Sequence, residues 1–304
     1  MRLVGQRGGA MLLLSFGVGF AVFSLLFLAL MGLTHPGAEA VTPANANVAD
    51  VNESYHPAPA DALTVLFMGG TQPEDAPGIF VLARFDPAQK RIALVVLPAQ
   101  TGVWNNGAQE ALAQVYRYGG ADYVRQALQK TLGLPIDRYV WVGAADFLKI
   151  APLIGTVELE LTRAMTLNKS GAELHMGAGR QLLDGSKALA LLRAAVGRDR
   201  EAAPENLAEQ LLAELVNQRI DIALAASVDN IFRQIVNTVR TDITYMDYHE
   251  RKQAAAWLAQ SRTPPAHVLT AQGVWQGQGD MVFLLSDTCL AQMREVFHSG
   301  NPPA

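Results

Sequence analysis

Leu63-Thr64-Val65-Leu66-Phe67-Met68-Gly69-Gly70, followed by two more apolar runs at 79–85 and 91–97, is the stretch that decides the fold. A short apolar run that ends in Gly-Gly reads as a buried strand leaving into a loop. Asp86-Pro87-Ala88-Gln89 lies between the other two runs. Asp-Pro favours a turn, so those runs form a hairpin. Downstream, residues 108–118 and 121–132 carry apolar side chains at helical spacing and are divided by Gly119-Gly120, which predicts two consecutive helices. Residues 139–142 return to strand, and 146–154 suit a helix that ends at Gly155. Val157-Glu158-Leu159-Glu160-Leu161 alternates with period two, as a half-exposed strand does. Asp184 is placed to cap a helix over 186–193. Leu207, Leu211, Leu212 and Leu215 make one stripe of an amphipathic helix able to cover a sheet. Helices over 228–239, 250–260 and 288–297 and a strand over 282–285 complete the series. No composition shift divides residues 60–300, so the prediction is a single α/β domain, layered α-β-α around a central mixed sheet.

The chain has 304 residues, half of them hydrophobic and only 17% charged, with a mean hydropathy of +0.14. That is too apolar for a disordered chain and slightly apolar for a wholly soluble one. The formal net charge of −4 offers no global basic field, which argues against a nucleic-acid partner. The single cysteine, Cys289, excludes a disulfide framework, a zinc ribbon and CxxC redox chemistry, and reads as a small buried hydrophobe.

The surplus apolar content lies near the N-terminus. Residues 10–33 contain no charged side chain, a length sufficient at 1.5 Å rise to span a hydrocarbon core of about 30 Å. Arg2 and Arg7 precede this segment, whereas Glu39, Asp50, Glu53 and Asp61 follow it before any Lys or Arg. The positive-inside asymmetry makes 1–9 a cytoplasmic tail, 10–33 a single-pass transmembrane anchor and 34–59 a linker to an extracytoplasmic domain at 60–300. Ala38-Glu39-Ala40 also has the small-x-small form of a signal-peptidase site, but the apolar segment exceeds the usual signal core of about 7–15 residues.

Sequence spacing alone offers little catalytic chemistry. The six histidines show no metal-ligand spacing, and there is no G-x-S-x-G elbow or phosphate-binding P-loop. Gly177-Ala178-Gly179 reads as a turn and His175 as a loop histidine. Arg84 is expected on the solvent side of its strand, and Tyr116 and Tyr118 are expected to pack against the sheet.

The order of segments carries more information. Leu66-Phe67-Met68-Gly69, Asp86-Pro87, Val95-Val96-Leu97-Pro98, Tyr116-Arg117-Tyr118-Gly119-Gly120, Gly133-Leu134-Pro135-Ile136-Asp137-Arg138-Tyr139-Val140 and Gly155-Thr156-Val157-Glu158 follow one another. Gly179-Arg180-Gln181-Leu182-Leu183-Asp184-Gly185 then leads into Lys187-Ala188-Leu189-Ala190 and Arg193. Together they resemble the LytR-CpsA-Psr family of bacterial cell-envelope proteins. The resemblance implies an extracytoplasmic phosphotransferase that moves a glycopolymer from a polyprenyl-pyrophosphate carrier to peptidoglycan. It further implies arginines to hold the pyrophosphate and an aspartate to hold magnesium.

The chain departs from that pattern at the charged positions. The family's R-x-D-T matches Ala76, Pro77, Gly78 and Ile79, and its I-P-R-D matches Leu97, Pro98, Ala99 and Gln100. Its R-x-R matches Arg193, Ala194 and Ala195, and its R-x-x-R-Q region falls near 204–209 without an arginine. Three absent arginines forfeit about 5–9 kcal/mol at roughly 1.5–3 kcal/mol each, or at least three orders of magnitude in binding or rate. The expectation is a catalytically inactive relation with no catalytic residue, no metal site and no cofactor. It would act as a binding or accessory protein toward a polyprenyl lipid or a cell-wall assembly partner. The alternative is an active phosphotransferase with a rearranged arginine set, using magnesium. Arg193, Arg198 and Arg200 are the anion-binding candidates. Arg193 reads equally as a buried structural arginine, and Arg198 and Arg200 as a solvated loop paired with Asp199 and Glu201.

Overall fold

The computed structural model describes residues 55–169, 172–196, 206–261, 263–277 and 281–298. At its centre, β1 (Leu63–Gly70), β2 (Ile79–Asp86) and β3 (Arg91–Pro98) pair as an antiparallel meander. A 3-10 turn at Pro87–Gln89 joins β2 to β3, with Lys90 in the left-handed region at φ 52°. Beyond β3, β4 (Gly102–Asn105) and β5 (Ala108–Ala111) form a small hairpin, and α1 (Leu112–Leu132) leads to β6 (Arg138–Gly143). β6 lies parallel to β1, with Gly70 opposite Gly143. Then follow α2 (Ala144–Ile154), β7 (Val157–Leu161), β8 (Met165–Lys169), β9 (Ala172–Met176), β10 (Gly179–Leu183) and α3 (Gly185–Val196). The C-terminal part adds α4 (Leu207–Arg219), α5 (Val228–Val236), β11 (Arg240–Thr241), α6 (Tyr245–Ala259) and β12 (Ala266–Thr270). It closes with β13 (Gly273–Gln276), β14 (Val282–Leu285) and α7 (Asp287–Phe297).

The main sheet has the order β11-β6-β1-β2-β3-β12 and is mixed, because β6 and β12 enter parallel to β1 and β3 while the other pairs are antiparallel. Both faces are covered. Val65, Phe67, Val81, Phe85, Leu94 and Val140 pack with α2 through α6 on one side. Leu66, Met68, Phe80, Leu82, Val95 and Trp141 pack with α1 and α7 on the other. Each large side chain so buried contributes about 1.5–3 kcal/mol, which makes this two-sided packing the main source of stability. The α-β-α layering is as the segment order predicts.

Several local expectations hold. The Val157–Leu161 strand alternates between buried and exposed side chains, and Leu207, Leu211, Leu212 and Leu215 are all buried. Asp184 accepts the Lys187 N–H at 2.8 Å and so caps α3. Cys289 is buried and free, its Sγ accepting from the Gln272 N–H at 3.4 Å.

Others are corrected. Arg84 is not on a solvent face: it is buried, donates to Thr64 Oγ1 at 2.9 Å and lies 3.8 Å from Asp86. Every residue of β2 is buried, because the strand is central and both its faces are covered. Residues 108–111 are strand rather than helix, since Asn106 (φ 48°) and Gly107 (φ 87°) make a two-residue hairpin turn to β4. Tyr118 is 57% exposed and does not pack on the sheet, whereas Tyr116 does. His175 belongs to β9, where its Nδ1 is 2.8 Å from Thr166 Oγ1. No helix among the described residues is long and apolar enough to cross a membrane. The expected cytoplasmic tail and anchor at 1–33, and the linker as far as residue 54, lie outside the described residues.

Candidate functional site

In open sheets, ligands collect where parallel strands deliver their carboxyl ends. β1 and β6 end side by side at Gly70 and Gly143. A Cβ on Gly70 would stand 3.1 Å from Trp141 Cζ2, so a side chain there would have to displace the indole. At this end of the sheet opens a cleft of about 350 Å³. The loop after β1 contributes Pro73 and Glu74, α1 contributes Tyr116, Arg117, Gly120 and Ala121, β6 contributes Tyr139 and Trp141, and β11 contributes Arg240.

α1 is shaped by its two glycines. Gly119 (φ −156°, ψ 17°) and Gly120 (φ 67°, ψ −152°) are non-helical, so α1 consists of two helical segments that meet at the cleft. The Gly120 conformation is one that only glycine adopts without strain. This is the division the sequence predicts at Gly119-Gly120. The Tyr116 hydroxyl donates to the Pro73 carbonyl at 2.8 Å, pinning the loop after β1 against α1. Burial pushes the Tyr116 and Tyr139 phenols up, and the positive charge of Arg240 opposes that rise in both. Arg240 reaches Glu74 at 3.7 Å, with both side chains largely exposed. The Trp141 indole Nε1 is buried and has no hydrogen-bond partner among the described residues.

Ion pairs tie β6 and α1, which line the cleft, to the segment after β11. Arg138 makes a fork with Asp247, Nε to Oδ2 and Nη2 to Oδ1, each at 2.8 Å. Arg125 reaches Asp242 at 2.7 Å and Asp122 at 2.6 Å. The Asp242 carboxylate also accepts the Tyr139 N–H at 2.6 Å. Asp247 completes a capping box with Thr244 at the start of α6. Burial raises the Asp247 pKa, but the hydrogen bonds from Arg138 and Thr244 outweigh it and hold the carboxyl below the usual carboxylate range.

Of the residues singled out from the sequence, Arg193 lies elsewhere. Arg193 is half-buried in the last turn of α3, and burial lowers the pKa of its guanidinium. It does not line the cleft. Arg198 and Arg200 lie outside the described residues. Ala76 to Ile79 fill the approach to β2, where the Gly78 N–H donates to the Gly69 carbonyl at 2.9 Å. Ala99 and Gln100 use their carbonyls for Ala113 and Phe283 N–H groups, each at 2.9 Å. The side chains at 76–79 include no carboxylate. Among the described residues no cluster of three or more His, Cys, Asp or Glu side chains could hold a metal ion. The cleft residues Arg117, Trp141 and Arg240 escaped the sequence reading. A signal was present for one, since Arg117 sits inside the Tyr116-Arg117-Tyr118-Gly119-Gly120 motif.

The layered mixed sheet with a cleft at the β1 and β6 carboxyl ends defines an α/β domain built on a central mixed sheet. More specifically, the chain belongs to the LytR_cpsA_psr family, whose model matches residues 35–297. It is 23% identical over 193 residues to the polyisoprenyl-teichoic acid–peptidoglycan teichoic acid transferase TagU of Bacillus licheniformis, a match covering 62% of each chain. The match thus spans about three fifths of that relative's length. Among solved structures, TagV of B. subtilis superposes with a TM-score of 0.63 at 20% identity, covering 78% of this chain and 95% of that one. A protein from Eubacterium siraeum gives a TM-score of 0.69 at 15% identity, covering 86% and 100%. These likenesses agree on the fold.

Proposed function

We propose that the chain is a membrane-anchored, extracytoplasmic protein of the bacterial cell envelope that binds a polyprenyl-linked glycopolymer, or an envelope partner that carries one, without transferring it. Gly78 carries this reading. It stands where the family's magnesium-holding aspartate is matched, has no side-chain oxygen, and donates its amide to Gly69 at 2.9 Å. Ala76, Ala99 and Ala195 at matched arginine positions support the same conclusion, because a pyrophosphate needs several preorganised donors to stabilise its developing charge. The substrate class comes from relatives named as polyisoprenyl-teichoic acid–peptidoglycan transferases. The uncharged segment 10–33 behind Arg2 and Arg7 supports the anchor and its orientation.

Those same relatives' names favour a second reading, an active transferase with a rearranged cation set that includes Arg193, Arg198 or Arg200. Retention of a polyprenyl-diphosphate oligosaccharide by the full chain in detergent micelles tests the first. Saturable retention is the expected result, and its absence overturns direct binding of the lipid-linked polymer. A reporter active only outside the cytoplasm, fused after Pro59, is expected to be active and cell-associated. A silent reporter, or one released into the medium, overturns the anchored topology.

A further inference from the structure

Three independent features converge on the cleft at the end of β1 and β6. The first is the kink at Gly119 and Gly120, after which the second segment of α1 starts at Ala121 on the cleft wall. The first N–H groups of a helix lack intrahelical acceptors and carry partial positive charge, which favours an anion. The second feature is a pair of guanidinium groups, Arg117 and Arg240, contributed by different elements. Among the described residues Arg117 has a single long bond, to Gln114 Oε1 at 3.4 Å, and Arg240 a loose exposed pair with Glu74 at 3.7 Å. Such surface pairs contribute little and yield readily to a stronger anion. The third is the Trp141 indole N–H, a donor on a side chain only 2% exposed that has no protein partner among the described residues. Leaving a buried donor unmade costs about 1–3 kcal/mol, a cost that a bound acceptor would remove.

From these features we infer that the cleft is a phosphoryl-anion site, with Arg117, Arg240, the Trp141 N–H and the start of the second α1 segment supplying its donors. The opposing charges are Glu74, and Asp122, whose carboxylate is engaged by Arg125 at 2.6 Å. The Tyr116 hydroxyl is already committed to Pro73 and holds the wall rather than the ligand. Two arginines against one loosely held glutamate favour a doubly charged group such as a phosphate monoester or diphosphate end over a single carboxylate. A volume of about 350 Å³ accommodates that group with part of what it esterifies. Among the described residues, none of the positions matched to the family's charged motifs lines the cleft. The inference deepens the proposed function, on which it rests only for the choice between a lipid headgroup and a free anion as the source.

Titration calorimetry on the full chain in detergent micelles, with inorganic pyrophosphate as the probe, tests it. The expected result is saturable binding that weakens about tenfold or more in Arg117→Met and in Arg240→Met. Both side chains are exposed, so these variants keep the fold. Glu74→Gln should strengthen binding, and Trp141→Phe, which keeps a ring but removes the N–H, should weaken it. Competition between pyrophosphate and a micellar polyprenyl diphosphate would assign the site to a lipid headgroup. Pyrophosphate binding that the lipid does not displace would assign it to a free anion. Absence of pyrophosphate binding at millimolar concentration overturns the site, as does binding that is unchanged in the Arg117→Met/Arg240→Met double variant. Where the lipid does displace pyrophosphate, oligosaccharide-lipid retention that survives the double variant undiminished would overturn the headgroup assignment and leave the proposed function standing. Turnover of the lipid would have the opposite effect.

Discussion

Replacing Asp247 by alanine probes the joint between the start of β6 and α6. Its carboxylate accepts two bonds from Arg138 at 2.8 Å each, and two from Thr244, from the backbone N–H at 2.8 Å and the hydroxyl at 2.7 Å. The charge-assisted fork contributes about 1.5–3 kcal/mol. Arg138 is about one third exposed and rehydrates in the variant, so the lower half of that range applies. The Thr244 hydroxyl still accepts the N–H of residue 247 in the variant, and loss of the two Thr244 bonds to the carboxylate adds about 1 kcal/mol. The expected destabilisation is therefore about 2–4 kcal/mol, or a fall in Tm of roughly 4–16 °C for a domain of this size. Urea and thermal unfolding of the full chain in micelles measure it. The folded carboxyl has a depressed pKa. Its contribution is accordingly present above the unfolded value of about 3.9 and is lost as pH falls through the folded value. The difference between wild type and Asp247→Ala should be full at pH 7 and shrink steadily below about pH 4. A difference under about 0.5 kcal/mol at pH 7, or one undiminished in acid, refutes this account of the joint.

Arg84→Met should destabilise by about 3 kcal/mol or more, because it strips a buried partner from Asp86 and Thr64, and equilibrium unfolding reads it directly. A neutral effect would refute the claim that Arg84 is needed beside Asp86, which also lies 3.6 Å from Arg91. Gly78→Asp restores the matched carboxylate and should raise whatever magnesium affinity the full chain has, as measured by calorimetry. Unchanged affinity would remove position 78 from the metal question.

The layered fold was legible because its cues are local. The Leu207, Leu211, Leu212 and Leu215 stripe and the alternating Val157–Leu161 strand each bury the face that their period designates. Arg84 misled because a charge on a strand suggests solvent, and only the pairing of β2 between β1 and β3 reveals that both faces are covered. Residues 108–111 misled differently: Ala-Gln-Glu-Ala has good helix formers, yet the Asn106-Gly107 turn beside it is a strong hairpin signal that overrides them. The cleft was the least legible part. Arg117 and Arg240 are distant in sequence and line one cleft because β11 pairs with β6 at Trp141.

The central claim is binding without transfer, and the most direct measurement is multiple-turnover release of polyprenyl phosphate. The full chain would be supplied with a polyprenyl-diphosphate glycopolymer, peptidoglycan acceptor and magnesium. Release at background, from a preparation that still retains the lipid substrate, is the predicted result. Magnesium-dependent release that disappears in Arg193→Ala, Arg198→Ala or Arg200→Ala would contradict it and establish the chain as an active transferase.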